Sequence, residues 1–330
     1  MSGTQIIATD RVFPSTNTSI AEGRIVLEPV KVIWIAAMSL GGVIGLTFFA
    51  SWSALAVFLT LSAVTLCAGH SVGMHRLLIH RSFKAPTWVE YTLVYLGTLV
   101  GMAGPFGMIR AHDIRDWHQR QAFCPPHPSH GTGFFRDAFW QLCCSYRLHN
   151  PPEFRLESSI QSDRFYRFLE ATWMAQQLPV AAILFAMGGW GWLLWGVALR
   201  IVVSLTGHWA VGHVAHKRGH QGWAIKGLPV QGYNLPRLGF VTFGESWHSN
   251  HHAFPHSAKL GIEAGQSDLG FLFIKFLEIF GLATNIKEPM SEPMRTGLIR
   301  VDPFDTTRAN KKSNPVGTSA PAASASMIMD

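Results

Sequence analysis

The sequence predicts an all-α membrane protein with four transmembrane helices in two hairpins and a helical cap on the cytoplasmic side. Three observations predict this. Hydrophobic residues make up 48% of the 330 and charged residues only 14%, where a soluble domain carries about 25% charge; mean hydropathy is +0.18. Long apolar runs come in two pairs, each split by a short turn. The 27 Lys and Arg fall outside those runs with one exception, Arg200. Such a composition excludes an ordinary cytosolic protein and a chain disordered throughout. The four cysteines form no CxxC pair, which argues against a zinc ribbon, an iron–sulfur cluster or a disulfide scaffold. The net charge of +7 is dispersed, so no nucleic-acid partner is expected.

Residues 1–30 form a polar, mixed segment on the cytoplasmic side, and no apolar core follows a basic start as in a cleavable signal peptide. Span one runs from about Val32 to Trp52, and span two from Ala54 to about Met74. Each is long enough at 1.5 Å per residue to cross a bilayer. Val89–Met108 is apolar but interrupted by Gly101, Gly104 and Pro105, and reads as a buried or interfacial helix. After the polar stretch Arg110–Glu170, spans three and four cover Trp173–Met187 and Trp192–Thr206, split by Gly188-Gly189-Trp190-Gly191. Trp34, Trp52, Trp190, Trp192 and Trp195 fit interfacial anchors. Arg200 inside span four must face the protein or snorkel. Leu269–Leu282 reads as an amphipathic helix, on the membrane or against the body. Residues 31–285 thus form one membrane domain, with cap segments 75–170 and 207–285. Residues 286–330 form a C-terminal segment disordered after about 303, around Lys311-Lys312. Neither short turn holds Lys or Arg, whereas 11 lie between Arg76 and Arg167 and 12 follow span four. Both termini and the cap therefore belong on the cytoplasmic side.

Histidine is the residue that points to chemistry. There are 16, all between His70 and His256, and the topology puts most of them on one side of the membrane. The densest cluster is Gly244-Glu-Ser-Trp-His248-Ser-Asn-His251-His252-Ala-Phe-Pro255. On a helix His251 lies about 60° to one side of His248 and His252 about 40° to the other. Three imidazoles on one face pointing slightly apart suit two adjacent metal ions. A chance His-x-x-His-His is expected only about 0.04 times in such a chain. A second cluster, His75-Arg-Leu-Leu-Ile-His80, stands at the exit of span two. On a straight helix its rings diverge by about 140°, so both reach one site only if the helix ends between them. His70, one turn deeper, reads as a core residue.

These residues carry a resemblance. His75-Arg-Leu-Leu-Ile-His80-Arg-Ser-Phe-Lys-Ala, the paired apolar hairpins and the 244–255 motif resemble the membrane fatty acid desaturases, particularly the Δ9-type acyl-CoA desaturases. The likeness spans roughly residues 30–285 in organisation and is tight around those two motifs. It implies a di-iron site held by histidines from three boxes plus one more near the end of span four. By the resemblance, His75, His80, His248, His251 and His252 are metal ligands. The second box departs from the family's usual HxxHH: it reads Arg110-Ala-His112-Asp-Ile-Arg-Asp116-Trp-His118. His112 and Asp116 share a helix face, and a carboxylate can ligate iron or orient an imidazole; equally, Asp113 and Asp116 can salt-bridge Arg110, Arg115 or Arg120. A fourth cluster, His208, His213 and His216, sits where the family places its extra histidine, and two of the three are expected near metal. Glu245, Asn250 and Asp116 are candidates for fixing imidazole tautomers.

The resemblance implies an oxidoreductase that uses two non-haem Fe2+ ions and O2 to place a cis double bond in a fatty acyl chain, carried as acyl-CoA or acyl-lipid. No His-Pro-Gly-Gly haem loop or ferredoxin cysteine set is present. Electrons must come from a separate donor of ferredoxin, rubredoxin or cytochrome b5 type. Two alternatives stay open: a hydroxylase, acetylenase or related oxygenase on the same scaffold, suggested by the altered second box, and a non-enzymatic membrane haem or metal carrier.

Overall fold

A computed structural model describes residues 6–291 and 294–301; the expected disorder after about 303 lies outside them. Helix α1 (Pro29–Phe48) starts with Pro29 in its first turn, where proline's missing N–H costs nothing. A tight turn follows, and Ser51 caps α2 (Trp52–Val64) by accepting from the Ala54 N–H at 3.1 Å. α2 does not stop at Met74. It continues without a break as a π-helix over Thr65–Ile79, closed by the His80 N–H to the His75 carbonyl at 3.0 Å.

The π-helix is the core of the molecule. One face, with Ala68, Val72 and Leu77, packs on Val89 and Leu93 of α3 (Thr87–Thr98) and on Ile274 and Leu277 of a later helix. The other face, with Met74, Leu78 and Ile79, packs on Val94, Ile109 and Leu169. Against α3 the two backbones touch: a Cβ on Gly69 would lie 2.4 Å from the Gly97 nitrogen. The expected single helix over 89–108 is two helices. α3 ends at Thr98, and α4 (Pro105–Gln119) starts afresh with Pro105 in its first turn and Glu170 accepting from the Phe106 and Gly107 N–H groups.

α5 (Phe134–Cys143), the short α6 (Ser158–Gln161) and α7 (Arg164–Thr172) complete the middle segment. Trp173 follows the end of α7, and the next apolar helix, α8 (Gln177–Leu193), starts only at Gln177. It leads through a π-helical turn (Leu194–Leu199) into α9 (Arg200–Ala215). Within α8 Gly189 has φ 62° and ψ −153°, a conformation open to glycine alone. The chain reverses there: Leu184 packs on Val197 and Ile201, which a straight helix would hold roughly 20 Å away. Among the described residues, three stretches are long and apolar enough to cross a membrane, Pro29–Phe48, Trp52–Ile79 and the broken Gln177–Ala215. α9 runs past Thr206 because its last turns pack on protein, so their polarity does not end the helix. Arg200 is buried and faces inward, donating to the carbonyls of Gly196 and Leu99 and to Gln177 Oε1 at 2.7–2.8 Å.

α10 (His248–Ala253) is short, and α11 (Leu269–Ile279) is two-faced. Ile274 and Leu277 enter the core while Leu272, Phe276 and Ile279 are exposed. The fold is mostly helical but not all-α. Three two-stranded antiparallel ribbons occur among the described residues: β1 (Val12–Phe13) with β4 (Glu153–Phe154), β2 (Gly23–Leu27) with β3 (Cys144–Leu148), and β5 (Trp223–Ile225) with β6 (Leu298–Arg300). They clip the N-terminal arm and the chain's last described residues onto the cap. Such brief pairings between distant segments leave no periodicity to read.

Gly69→Val should lower the thermal midpoint in detergent, at a cost of about 1–3 kcal/mol for overpacking against backbone that cannot yield. An unchanged midpoint would show that the π-helix and α3 are not in contact.

Candidate metal centre

The π-helix decides the first half of the site. An α-helix would turn His80 away from His75, and a helix end between them was the expected remedy. The helix does not end there. Hydrogen bonding from i to i+5 stacks every fifth residue, so His75 and His80 stand one above the other with ring centroids 4.8 Å apart. α4 brings His112 alongside, its Nε2 3.2 Å from His80 Nε2. α10 adds His251, whose ring lies 4.6 Å from that of His75. The ligand atoms of His75, His80, His112 and His251 all lie within 4.8 Å of one another.

A second group forms beside it. His216, just past the end of α9, meets His248 and His252 of α10; the Nε2 of His248 is 3.0 Å from both other Nε2 atoms. One short helix thus serves both groups. His251 turns to the first, His248 and His252 to the second, and the His248 and His251 rings are 5.9 Å apart.

Outer contacts fix the ring protons. Glu245 Oε2 lies 2.7 Å from His75 Nδ1, and its Oε1 accepts from Ser71 at 2.6 Å. Asp113 Oδ1 takes His112 Nδ1 at 3.0 Å, and Asp113 is held in turn by buried Arg11 at 2.8 Å. The Gln231 carbonyl takes His216 Nδ1 at 3.2 Å. Carboxylates and carbonyls only accept, so the Nε2 lone pairs of His112 and His216 face inward. Burial, then the neighbouring imidazoles, pushes His80, His216, His248 and His251 well below the ordinary value of 6.5. Burial brings His252 down to about 4 even though Asp116 pulls the other way. Burial opposes ionisation of Glu245, but His75 and Arg76 outweigh it and hold the carboxyl well below its usual range. Neutral imidazoles with lone pairs crowded 3.0–3.2 Å apart repel unless something positive sits among them. The donor set fits two transition-metal ions with nitrogen ligands.

Other candidates lie elsewhere. Asp116 pairs with Arg120 and falls in neither group. Arg120, then Arg295, His112 and His252, outweigh its burial and keep it ionised. His208 packs edge-on against His70, 4.9 Å between centroids, and His213 joins His130 and Asp137 in a third cluster. His118 packs on Trp117 and Tyr146, while His256 donates to the His80 carbonyl. The Asn250 side chain spends its hydrogen bonds on Asn234, Gln266 and the Leu260 carbonyl, and so braces α10. Sequence reasoning missed Arg11, Gln231, His130 and Asp137, which act through contacts with distant stretches. A cleft lined by Arg11, His80, Asp113, Asp116, Arg120 and His256 borders the first group.

No protein-family model matches the chain. Individual relatives do. An acyl-CoA 5-desaturase of Anemone leveillei is 36% identical over 244 residues, 73% of this chain and 74% of that protein. An sn-1 stearoyl-lipid 9-desaturase of Anabaena variabilis is 34% identical over 241 residues, 72% and 85% of the two chains. A chloroplastic palmitoyl-monogalactosyldiacylglycerol delta-7 desaturase of Arabidopsis thaliana is 34% identical over 243 residues, 72% and 63%. Their names span three bond positions and both CoA and lipid carriers, so the likeness fixes neither. With identity of this level over most of both chains, and apolar helices long enough to cross a membrane, this membrane protein belongs to the fatty acid desaturase family.

Proposed function

We propose that the chain is an O2-dependent fatty acyl desaturase that introduces a cis double bond at two irons, one held by His75, His80, His112 and His251 and the other by His216, His248 and His252. The observation that carries the reading is the division of the α10 histidines between two adjoining imidazole groups in a chain whose relatives are desaturases. No observation favours a hydroxylase, an acetylenase or a metal carrier.

When bound, a pair of irons supplies dioxygen activation and removal of hydrogen from a saturated carbon pair. The residues supply the rest. The imidazoles stay neutral, leaving positive charge on the metals. Asp113 and the Gln231 carbonyl hold the ring protons at Nδ1 of His112 and His216, which orients Nε2 inward, and Glu245 sets a carboxylate beside His75 Nδ1. Asp116 sets a negative charge beside His252 without leaving its pair with Arg120.

The same reading extends to topology. Supporting four spans in two hairpins are the chain reversal at Gly189 and the two short turns without Lys or Arg. Basic residues flanking the spans favour cytoplasmic termini, site and cap. The desaturase domain covers residues 31–285, and a separate ferredoxin, rubredoxin or cytochrome b5 type donor docks on the basic side.

Purified protein should carry about two irons per chain, and a host expressing it should accumulate new monoenes in gas chromatography–mass spectrometry of its lipids. His252→Ala should lose both monoenes and about one iron. Hydroxy or acetylenic products, or wild-type protein without iron, would overturn the reading. The metal-free protein should also become less stable as pH falls. Its buried histidines have folded pKa values below the unfolded 6.5, with His252 at about 4. The unfolded chain therefore binds more protons, and stability present above pH 6.5 is lost on the way down to 4. Melting curves of the chelated protein at pH 7 and pH 5 check this; an equal or higher midpoint at pH 5 contradicts it.

A further inference from the structure

Beside the second imidazole group lies a cluster that the desaturase reading does not use: His130, Asp137 and His213. We propose that His130 belongs to the donor set of the His216–His248–His252 position, supplying its fourth nitrogen, and that Asp137 positions it. The proposal rests on the reading that this position holds iron.

The argument starts from Asp137, which is wholly buried. Its Oδ2 accepts from His130 Nδ1 at 2.8 Å, His213 Nδ1 at 2.7 Å and Trp209 Nε1 at 2.8 Å. A carboxylate receiving three donors is ionised and can only accept. The ring proton of His130 is therefore fixed at Nδ1, and its Nε2 carries a lone pair. That Nε2 is buried with no hydrogen-bond partner, and the residue is only 2% exposed. A buried acceptor left unpaired is costly, and buried polar groups as a rule find a partner.

The ring lies beside the second group. The His130 ring stacks on that of His216, with centroids 5.4 Å apart and planes at 13°. Its Nε2 stands 3.5 Å from where a Cβ on Gly212 would be. Gly212 is one turn before His216, so Nε2 lies on the flank of α9 that leads to His216. The first group offers four imidazoles and the second only three; His130 restores the balance. Asp137–His130 has the form of the carboxylate–histidine pairs that orient metal ligands. Sequence spacing assigns His130 no role, because it follows the altered second box in a loop with no fixed register to the other histidines.

The test is iron content after dialysis against a chelator, with helix content followed by circular dichroism. His130→Phe keeps a ring of similar size to stack on His216 but removes the nitrogen. It should weaken iron at the second position about 10–100-fold, seen as a fall from two irons per chain to one. Asp137→Asn should give the same partial loss with the helices intact, while His118→Phe, another buried histidine away from both groups, should retain two. If the phenyl ring prevents folding, His130→Gln carries the test with the same expected loss. Two irons retained in the folded His130 variant would overturn the proposal. Wild-type protein without iron would instead overturn the desaturase reading on which it rests.

Discussion

The i to i+5 winding of Thr65–Ile79 is the constraint on which the rest depends. A π-helix is rare beyond a single turn, and here it persists for 15 residues. Burial stabilises it: apolar side chains cover two faces, and α3 lies close enough at Gly69 to touch backbone to backbone. The winding aligns His70, His75 and His80, spaced five apart, along one edge. It also drives Arg76 into the interior, where it is 1% exposed and donates to Asp268 at 2.9 Å. Asp268 caps α11 through the Phe271 N–H and takes the Leu260 and Gly261 N–H groups on its other oxygen. A single buried ion pair therefore joins the π-helix, the loop after α10 and the start of α11. Losing either partner would deprive a buried charge of its nearest counter-ion.

The histidine groups are held from outside by residues spread through the whole chain. Glu245 precedes α10 yet orients a ring on the π-helix. Arg11 reaches from the N-terminal arm to Asp113 and also donates to the Ile79 carbonyl at the end of the π-helix. The ribbon of β1 with β4 places that arm. What looks in the sequence like a plain polar leader is part of the support for His112.

Legibility followed the range of the interaction. Long apolar runs announced the apolar helices, because hydropathy is local, and α10 declared its two-way presentation of imidazoles through spacing alone. Helix ends were misplaced where polar turns pack on protein, as in Thr65–Ile79 and at the end of α9. The π-winding itself was invisible: a five-residue histidine interval contradicts an α-helix, and a helix break was the simpler local remedy. In the second box, spacing left Asp116 open to two uses, sharing a face with His112 or pairing with an arginine, and only the packed structure shows that Arg120 claims the carboxylate. Assigning His216, rather than His208 or His213, to the second group needed the position of α10. His130 and Asp137 were beyond reach, since nothing local links residues 130, 137 and 216.

His75 and His252 stand 177 positions apart, and the short helix that carries His248, His251 and His252 serves both groups. During synthesis the earlier histidines emerge long before α10 does. Neither nitrogen cluster exists as a set until the ribosome is well into the last third of the chain, past His251 and His252. Capture of an ion can therefore act only once α10 has been made, and a product ended before it lacks part of both sets.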